Sequence, residues 1–354
     1  MNHLFNSYTK TLGKQNQLFA YLILFASILL TTGCSEQPSD INFEYQARLA
    51  NTLESPVAKH IELKNIALNK PKTLVTQTKQ QVSILQLAQL NSCALSTLIA
   101  EHNSQLGKVA TPATDLIYQI EFIKAAPACL QTLDKKSNSY QQIKVALEQK
   151  QAQLAAYFAQ FLYASAEIKN SWQLTHYELN TNLNGLVETE LALKNLTTIQ
   201  KQINTKQYQQ IKTHHIYKSL EQLNRFNFNQ ALITAVRKQT QLNNLTTQYL
   251  ADIELKSLCN PIKNKKQAQI ISNVFKKYYL EQLQPYQAQL TGALERLMPY
   301  YQTLWLENSL VDKAVAPLLQ PNQPSNLLTS LKKSAKTHVI WWQKFYKTCE
   351  ISPI

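Results

Sequence analysis

Glycine is scarce in this 354-residue chain: five in all, and only Gly107, Gly185 and Gly292 after position 33. Proline is absent between Pro127 and Pro261. Sheet proteins of this size turn often, and tight turns draw on Gly, Pro, Asn and Asp, so an architecture of many short strands is excluded over most of the length. Arginine is also scarce. Arg48, Arg225, Arg237 and Arg296 are the only four among 36 basic residues, which weighs against a dedicated bidentate phosphate site. Short motifs with chemistry are missing as well: there is no H-E-x-x-H, no G-x-S-x-G, no Walker loop, no G-x-G-x-x-G and no C-x₂-C pair. No catalytic residue, metal ligand or cofactor is therefore assigned, and nucleic acid is not an expected partner.

The amino-terminal segment carries an address. A 13-residue apolar run, Leu18 to Leu30, follows a stretch that holds Lys10 and Lys14 and no acid, and it ends in Thr31-Thr32-Gly33-Cys34. That order reads as a secretory signal. The run falls short of the roughly 20 residues that span a bilayer. Cysteine directly after small residues is the acceptor a lipoprotein pathway needs, because its thiol forms the thioether to diacylglycerol. The match has one departure: Thr31 stands where leucine is preferred, and Leu30 lies one position earlier. Residues 1–33 are thus expected to be a cleaved signal, with Cys34 the lipid attachment site and 34–40 a tether. More than one acyl chain is needed for stable anchoring. Ser35, in place of an aspartate, favours the periplasmic side of the outer membrane over the inner membrane.

With Cys34 assigned to lipid, Cys93, Cys129, Cys259 and Cys349 form an even set in an oxidising compartment, and two disulfides are expected. On a helical hairpin turning near Gly107, Cys93 and Cys129 reach similar heights, given about 1.5 Å of rise per residue and a break at Pro127. Cys259 and Cys349 pair by elimination. After residue 33 the chain carries 34 basic and 22 acidic residues, and residues 255–354 hold 13 of the basic and five of the acidic ones. Such a field favours anionic neighbours. Lys263, Lys265, Lys266, Lys276, Lys277 and Trp341 are the candidate surface contacts for an anionic envelope component or an envelope protein.

The apolar spacing predicts an all-α fold, a multi-helix bundle of long antiparallel helices stapled by two disulfides. A first helix over 41–53 is followed by an extended wrap to 79, in which the segment around 60–68 could form a brief strand. A helical domain covers 80–354, with two subdomains, about 80–184 and 185–354, as an option. Thr111-Pro112 opens one helix as N-cap and first residue. Another starts near Ser137 and carries Ile143, Leu147, Leu154, Tyr157 and Phe161 on one seam, interrupted by Lys150. Breaks are expected near Lys206 and Asn227, a new helix after Pro285, a kink at Pro299, and a final helix with Leu331, His338, Trp342, Phe345 and Cys349 at alternating spacings of three and four. The histidines other than this seam residue read as exposed; His214 and His215, adjacent on a helix, would chelate poorly.

Two blocks of the chain, CALSTLIAEHNSQLGKVATPATDLIYQIEFIKAAPACL and LCNPIKNKKQAQIISNVFKKYYLEQLQPYQAQL, resemble an uncharacterised family of gammaproteobacterial lipoproteins classed as a domain of unknown function. The resemblance implies an envelope lipoprotein and supplies no activity. The turn Glu101-x-Asn103-Ser104-x-x-Gly107-Lys108 within the first block, which also contains His102, reads as a helix end with Lys108 complementing the dipole. The expected function is a non-enzymatic binding or scaffold module anchored in the envelope. The alternative is an envelope hydrolase whose carboxylates, such as Glu101 or Glu121, meet in a cleft.

Overall fold

Three helices in the computed structural model begin where a short polar side chain takes up a free backbone donor. Residues 37–56, 63–66, 68, 93–104, 109–259, 265–307 and 314–352 are described. Thr111 accepts from the Thr114 N–H, Ser137 from Tyr140 and Asn326 from Thr329, and these N-caps open three of the longest helices. In chain order the elements are α1 (Pro38–Leu53), α2 (Leu95–Asn103), α3 (Pro112–Thr132), α4 (Asn138–Ala164), α5 (Ala166–Asn170) and α6 (Leu186–Asn204). After a short 3₁₀ turn come α7 (His214–Phe226), α8 (Phe228–Ala251) and α9 (Leu255–Leu258). The carboxyl-terminal part holds α10 (Lys265–Val274), a π-helical segment (Phe275–Leu283), α11 (Gln284–Leu306), α12 (Ala316–Leu319) and α13 (Leu327–Cys349). The fold is all-α, with no strand among the described residues.

Breaks between helices fall where backbone conformation demands them. Lys206 and Asn227 both take positive φ, +57° and +47°, and end α6 and α7. Gly185 precedes α6 at φ +94°, and a Cβ there would lie 2.6 Å from the Cβ of Phe226, so both conformation and space require glycine.

Three expectations on proline and helix starts are corrected. Pro127 does not break its helix, since α3 runs through it to Thr132. Pro285 does not start a separate helix, because the chain is helical without interruption from Lys265 to Leu306. A proline lacks an N–H and its ring crowds the preceding turn; here that turn is widened to the i→i+5 pattern, with Gln284 N–H donating to the Tyr279 carbonyl. The first helix begins at Pro38, so residues 38–40 belong to α1 and not to a tether; proline suits a first turn, where its missing N–H costs nothing.

The core has three clusters. The largest joins α3, α4, α6, α7, α8, α11 and the start of α13 and contains Phe158, Trp172, Leu232 and Trp305. It draws on residues from both sides of position 185. A second packs Tyr45 and Leu49 of α1 against Phe275 and Tyr279 of the π segment and Trp342 and Phe345 of α13. The third surrounds Cys129 with Leu95, Ile99 and Ile143. At about 1.5–3 kcal/mol for each fully buried large apolar side chain, these clusters are the main source of stability.

Two disulfides staple the helices: Cys93–Cys129, with Cα atoms 5.4 Å apart, and Cys259–Cys349, at 4.6 Å. The second fastens the end of α13 to the segment after α9.

Between the clusters runs a line of buried amides and hydroxyls. Gln239 of α8 donates to Asn42 of α1 at 2.8 Å, and Gln287 of α11 donates to both Gln239 and Asn243 at 3.0 Å. Gln46 donates to Thr246 at 2.8 Å. Buried polar groups are costly when unpaired, and these pair with one another across three helices.

Candidate functional site

The polar face of α8 is the place where the buried core gives way to a groove. Arg237, Thr240, Gln241, Asn244, Leu245 and Gln248 recur at helical spacing along one side of that helix, opposite the side that enters the core. Leu63 and Lys64 form one wall, and Leu318 with Ser325, Leu327 and Ser330, from α12, the following loop and the start of α13, form the other. The groove has a volume of about 590 Å³, within the usual range for small-molecule sites.

Its electrostatics are one-sided. Arg237 donates through Nη2 to the Lys64 carbonyl at 2.7 Å, while its Nη1 is buried with no hydrogen-bond partner. The Thr240 hydroxyl beside it is also buried and unpartnered. Among the described residues no carboxylate lines the groove and none pairs with Arg237. Burial pushes the guanidinium below its ordinary value, though arginine keeps its charge under any physiological condition. A half-buried cation without a counter-charge is costly. An anion entering the groove would offset that cost, and Lys64, Asn244, Gln248 and Ser330 would add further hydrogen-bonding groups.

Other candidate residues are placed as follows. Cys34, Lys263, Gly107 and Lys108 lie outside the described residues, as does the side chain of Lys265. Lys266, Lys276 and Lys277 are exposed, with the Lys277 ammonium 5.3 Å from the centre of the Tyr278 ring. Trp341 does not join them. It is 9% exposed and packs between Trp342 and the stacked ring of Phe345, because α13 is wrapped on two sides near its end and the face adjacent to the seam is covered too. Glu101 is exposed on α2. Glu121 on α3 is ion-paired with Lys124 at 3.0 Å and accepts from the Thr213 hydroxyl at 2.7 Å, so its carboxylate holds the start of α7. Among the described residues the fully enclosed acid is Glu178, which accepts from the backbone and hydroxyl of Ser39 and from Lys238 at 3.0 Å.

Histidines are not all exposed: apart from His338, which is fully buried, His102 stacks flat on Tyr118 with ring centres 3.7 Å apart. His214 and His215 meet edge to face at 4.3 Å. Among the described residues no group of three or more His, Cys, Asp or Glu side chains converges as a metal-ligand set, and no helix is long and apolar enough to cross a membrane.

Sequence reasoning did not find Arg237 as a site. The signal was present as the polar stripe Arg237-x-x-Thr240-Gln241-x-x-Asn244-x-x-x-Gln248, but the lack of a counter-charge and the opposing walls come from segments far away in the chain.

Fold and groove together define a disulfide-stapled, all-α protein with a cationic groove. Residues 42–353 match the model of the family described as "Protein of unknown function (DUF3080)", and the chain belongs to that family. No curated protein and no solved structure matches it.

Proposed function

We propose that this protein is a gammaproteobacterial envelope lipoprotein, held by a lipid on Cys34 at the periplasmic side of the outer membrane, and that it binds an anionic envelope component without converting it. The observation that carries the binding role is Arg237, which meets no counter-charge among the described residues and stands in a groove that none of their carboxylates lines. The lipidation and the compartment are supported by the segment ending at Cys34 and by four remaining cysteines that all sit in disulfides, the usage of an oxidising compartment. The exposed Lys266, Lys276 and Lys277 add to the attraction of an anionic surface.

Two experiments test the two halves separately. Labelled palmitate supplied to expressing cells should enter the full chain and fail to enter Cys34→Ser; equal labelling of both would refute the anchor. Calorimetric titration with glycerol 3-phosphate and with N-acetyl-dialanine should give saturable heat for at least one of them. Arg237→Gln should weaken it about tenfold or more, the value of one lost charge-assisted hydrogen bond. Absence of saturation with both, or no effect of the substitution, would refute the groove.

A further inference from the structure

A second cleft is bounded by the start of α3, the junction of α4 and α5, and α7. Its volume is about 760 Å³. The lining differs in kind from that of the Arg237 groove. Tyr217 stands half exposed, at 50%, with its hydroxyl held at 3.0 Å by Thr114, which in turn lies 2.9 Å from the N-cap hydroxyl of Thr111. The ring is thus an exposed aromatic surface with a fixed orientation, where a free tyrosine would sweep through rotamers. Ser165, 4% exposed, lies in the cleft wall, and its hydroxyl is buried with no hydrogen-bond partner. Such a group carries a desolvation cost that no partner among the described residues offsets. Glu167, Glu221 and Lys218 line the cleft as well, and no ion pair or side-chain hydrogen bond engages their charged ends among the described residues.

From this lining we infer a binding site for a neutral oligosaccharide. Two carboxylates against one ammonium disfavour an anion and give no concentrated field for a cation. The same groups suit vicinal hydroxyls, since carboxylates accept from them and the ammonium donates to them. A pinned aromatic face offers the apolar C–H side of a sugar ring a preorganised surface, and preorganisation removes much of the ordering cost of binding. Thr111 and Thr114 are occupied with holding the tyrosine and act as positioning residues.

The test is titration of the full chain in detergent with chitotriose and maltotriose, followed by NMR or calorimetry. At least one sugar should saturate at millimolar concentration. Tyr217→Ala should weaken it about tenfold or more, Tyr217→Phe only a few-fold, because the ring remains while its tether is lost. Glu167→Gln combined with Glu221→Gln should weaken it with no change in unfolding temperature, and Arg237→Gln should leave it unaltered, which separates this site from the anion groove. No saturation by either sugar up to about 20 mM, or equal binding by Tyr217→Ala that melts like the parent protein, would overturn the assignment.

Discussion

Tyr45 of α1 and His338 of α13, 293 positions apart in the chain, meet at 3.0 Å between the phenol oxygen and Nε2. The surrounding donors determine the tautomer. Trp342 Nε1–H can only donate, and it reaches both Nε2 at 3.2 Å and the Tyr45 oxygen at 3.1 Å. On the other side of the ring, the Thr247 hydroxyl spends its proton on the Asn243 carbonyl at 2.7 Å, so its oxygen receives Nδ1–H at 3.0 Å. Nε2 is therefore an acceptor facing two donors, and His338 is neutral. Burial holds its pKa down at about 3.

Acid sensitivity follows from that arrangement. An unfolded histidine titrates near about 6.5, so below that pH the unfolded state binds the proton and the folded state does not. The contribution to stability is complete above about pH 6.5 and is lost progressively as pH falls toward 3, at about 1.4 kcal/mol per unit. Urea unfolding at pH 7, 6 and 5 should show His338→Leu less stable than the parent at pH 7, by about 2–4 kcal/mol for the stranded partners. Its further decline on acidification should be shallower. Parallel slopes for the two proteins would contradict a neutral, buried His338.

Lys150 is predicted to be a stability cost that the fold carries. It interrupts the apolar seam of α4, with its ammonium 2.6 Å from the Gln119 side-chain oxygen and 4.6 Å from the centre of the Tyr118 ring. Burial lowers its pKa to about 8. The penalty is fully present below that value and disappears as pH rises toward the ordinary lysine range near 10.5. The aromatic contact offsets part of it. Lys150→Met should be more stable than the parent by about 1 kcal/mol at pH 7, with the gain fading by pH 10. Denaturant melts at the two pH values check this, and a destabilised variant at pH 7 would contradict it.

Gly185→Ala should be destabilising by about 2–4 kcal/mol, combining a positive φ with a Cβ forced into Phe226. Gly292→Ala provides the control, since no atom lies within 4 Å of a Cβ there; inside α11 it should be neutral or mildly stabilising. Thermal unfolding of both variants gives the comparison, and equal effects would count against the close approach of α6 and α7.

The disulfides close loops spanning 36 and 90 positions, and chain-entropy arguments assign each about 4 kcal/mol as an upper figure. Non-reducing peptide mapping should recover Cys93 joined to Cys129 and Cys259 joined to Cys349. The serine pair at 259 and 349 should cost at least as much as the pair at 93 and 129, because it also frees the end of α13. Recovery of free thiols at any of the four positions would contradict the staples.

Much of this fold is legible from local chemistry. Thr111 and Ser137 are helix starts because their own side chains cap the backbone, and Asn227 is a break because asparagine tolerates positive φ. The seam of α13 reads correctly because its spacing is a property of one helix. What periodicity cannot supply is the partner. Trp341 falls off the seam yet is buried, since a neighbouring segment covers the adjacent face, and Pro285 is accommodated by a π turn that no local rule requires. Arg237 belongs with Trp341: its spacing marks a polar face, but whether a carboxylate meets it is decided by tertiary neighbours, and none does among the described residues.

The anion groove is tested most directly by unfolding temperature measured against increasing glycerol 3-phosphate and N-acetyl-dialanine, with sodium chloride at matched ionic strength as reference. A ligand that binds only the folded state raises stability by about 2.7 kcal/mol at a hundred times its Kd. The parent protein should show a rising, concentration-dependent melting temperature with at least one of these anions beyond the chloride series, and Arg237→Gln should show none. Equal shifts in both proteins, or no shift in either, would contradict a binding groove built around Arg237.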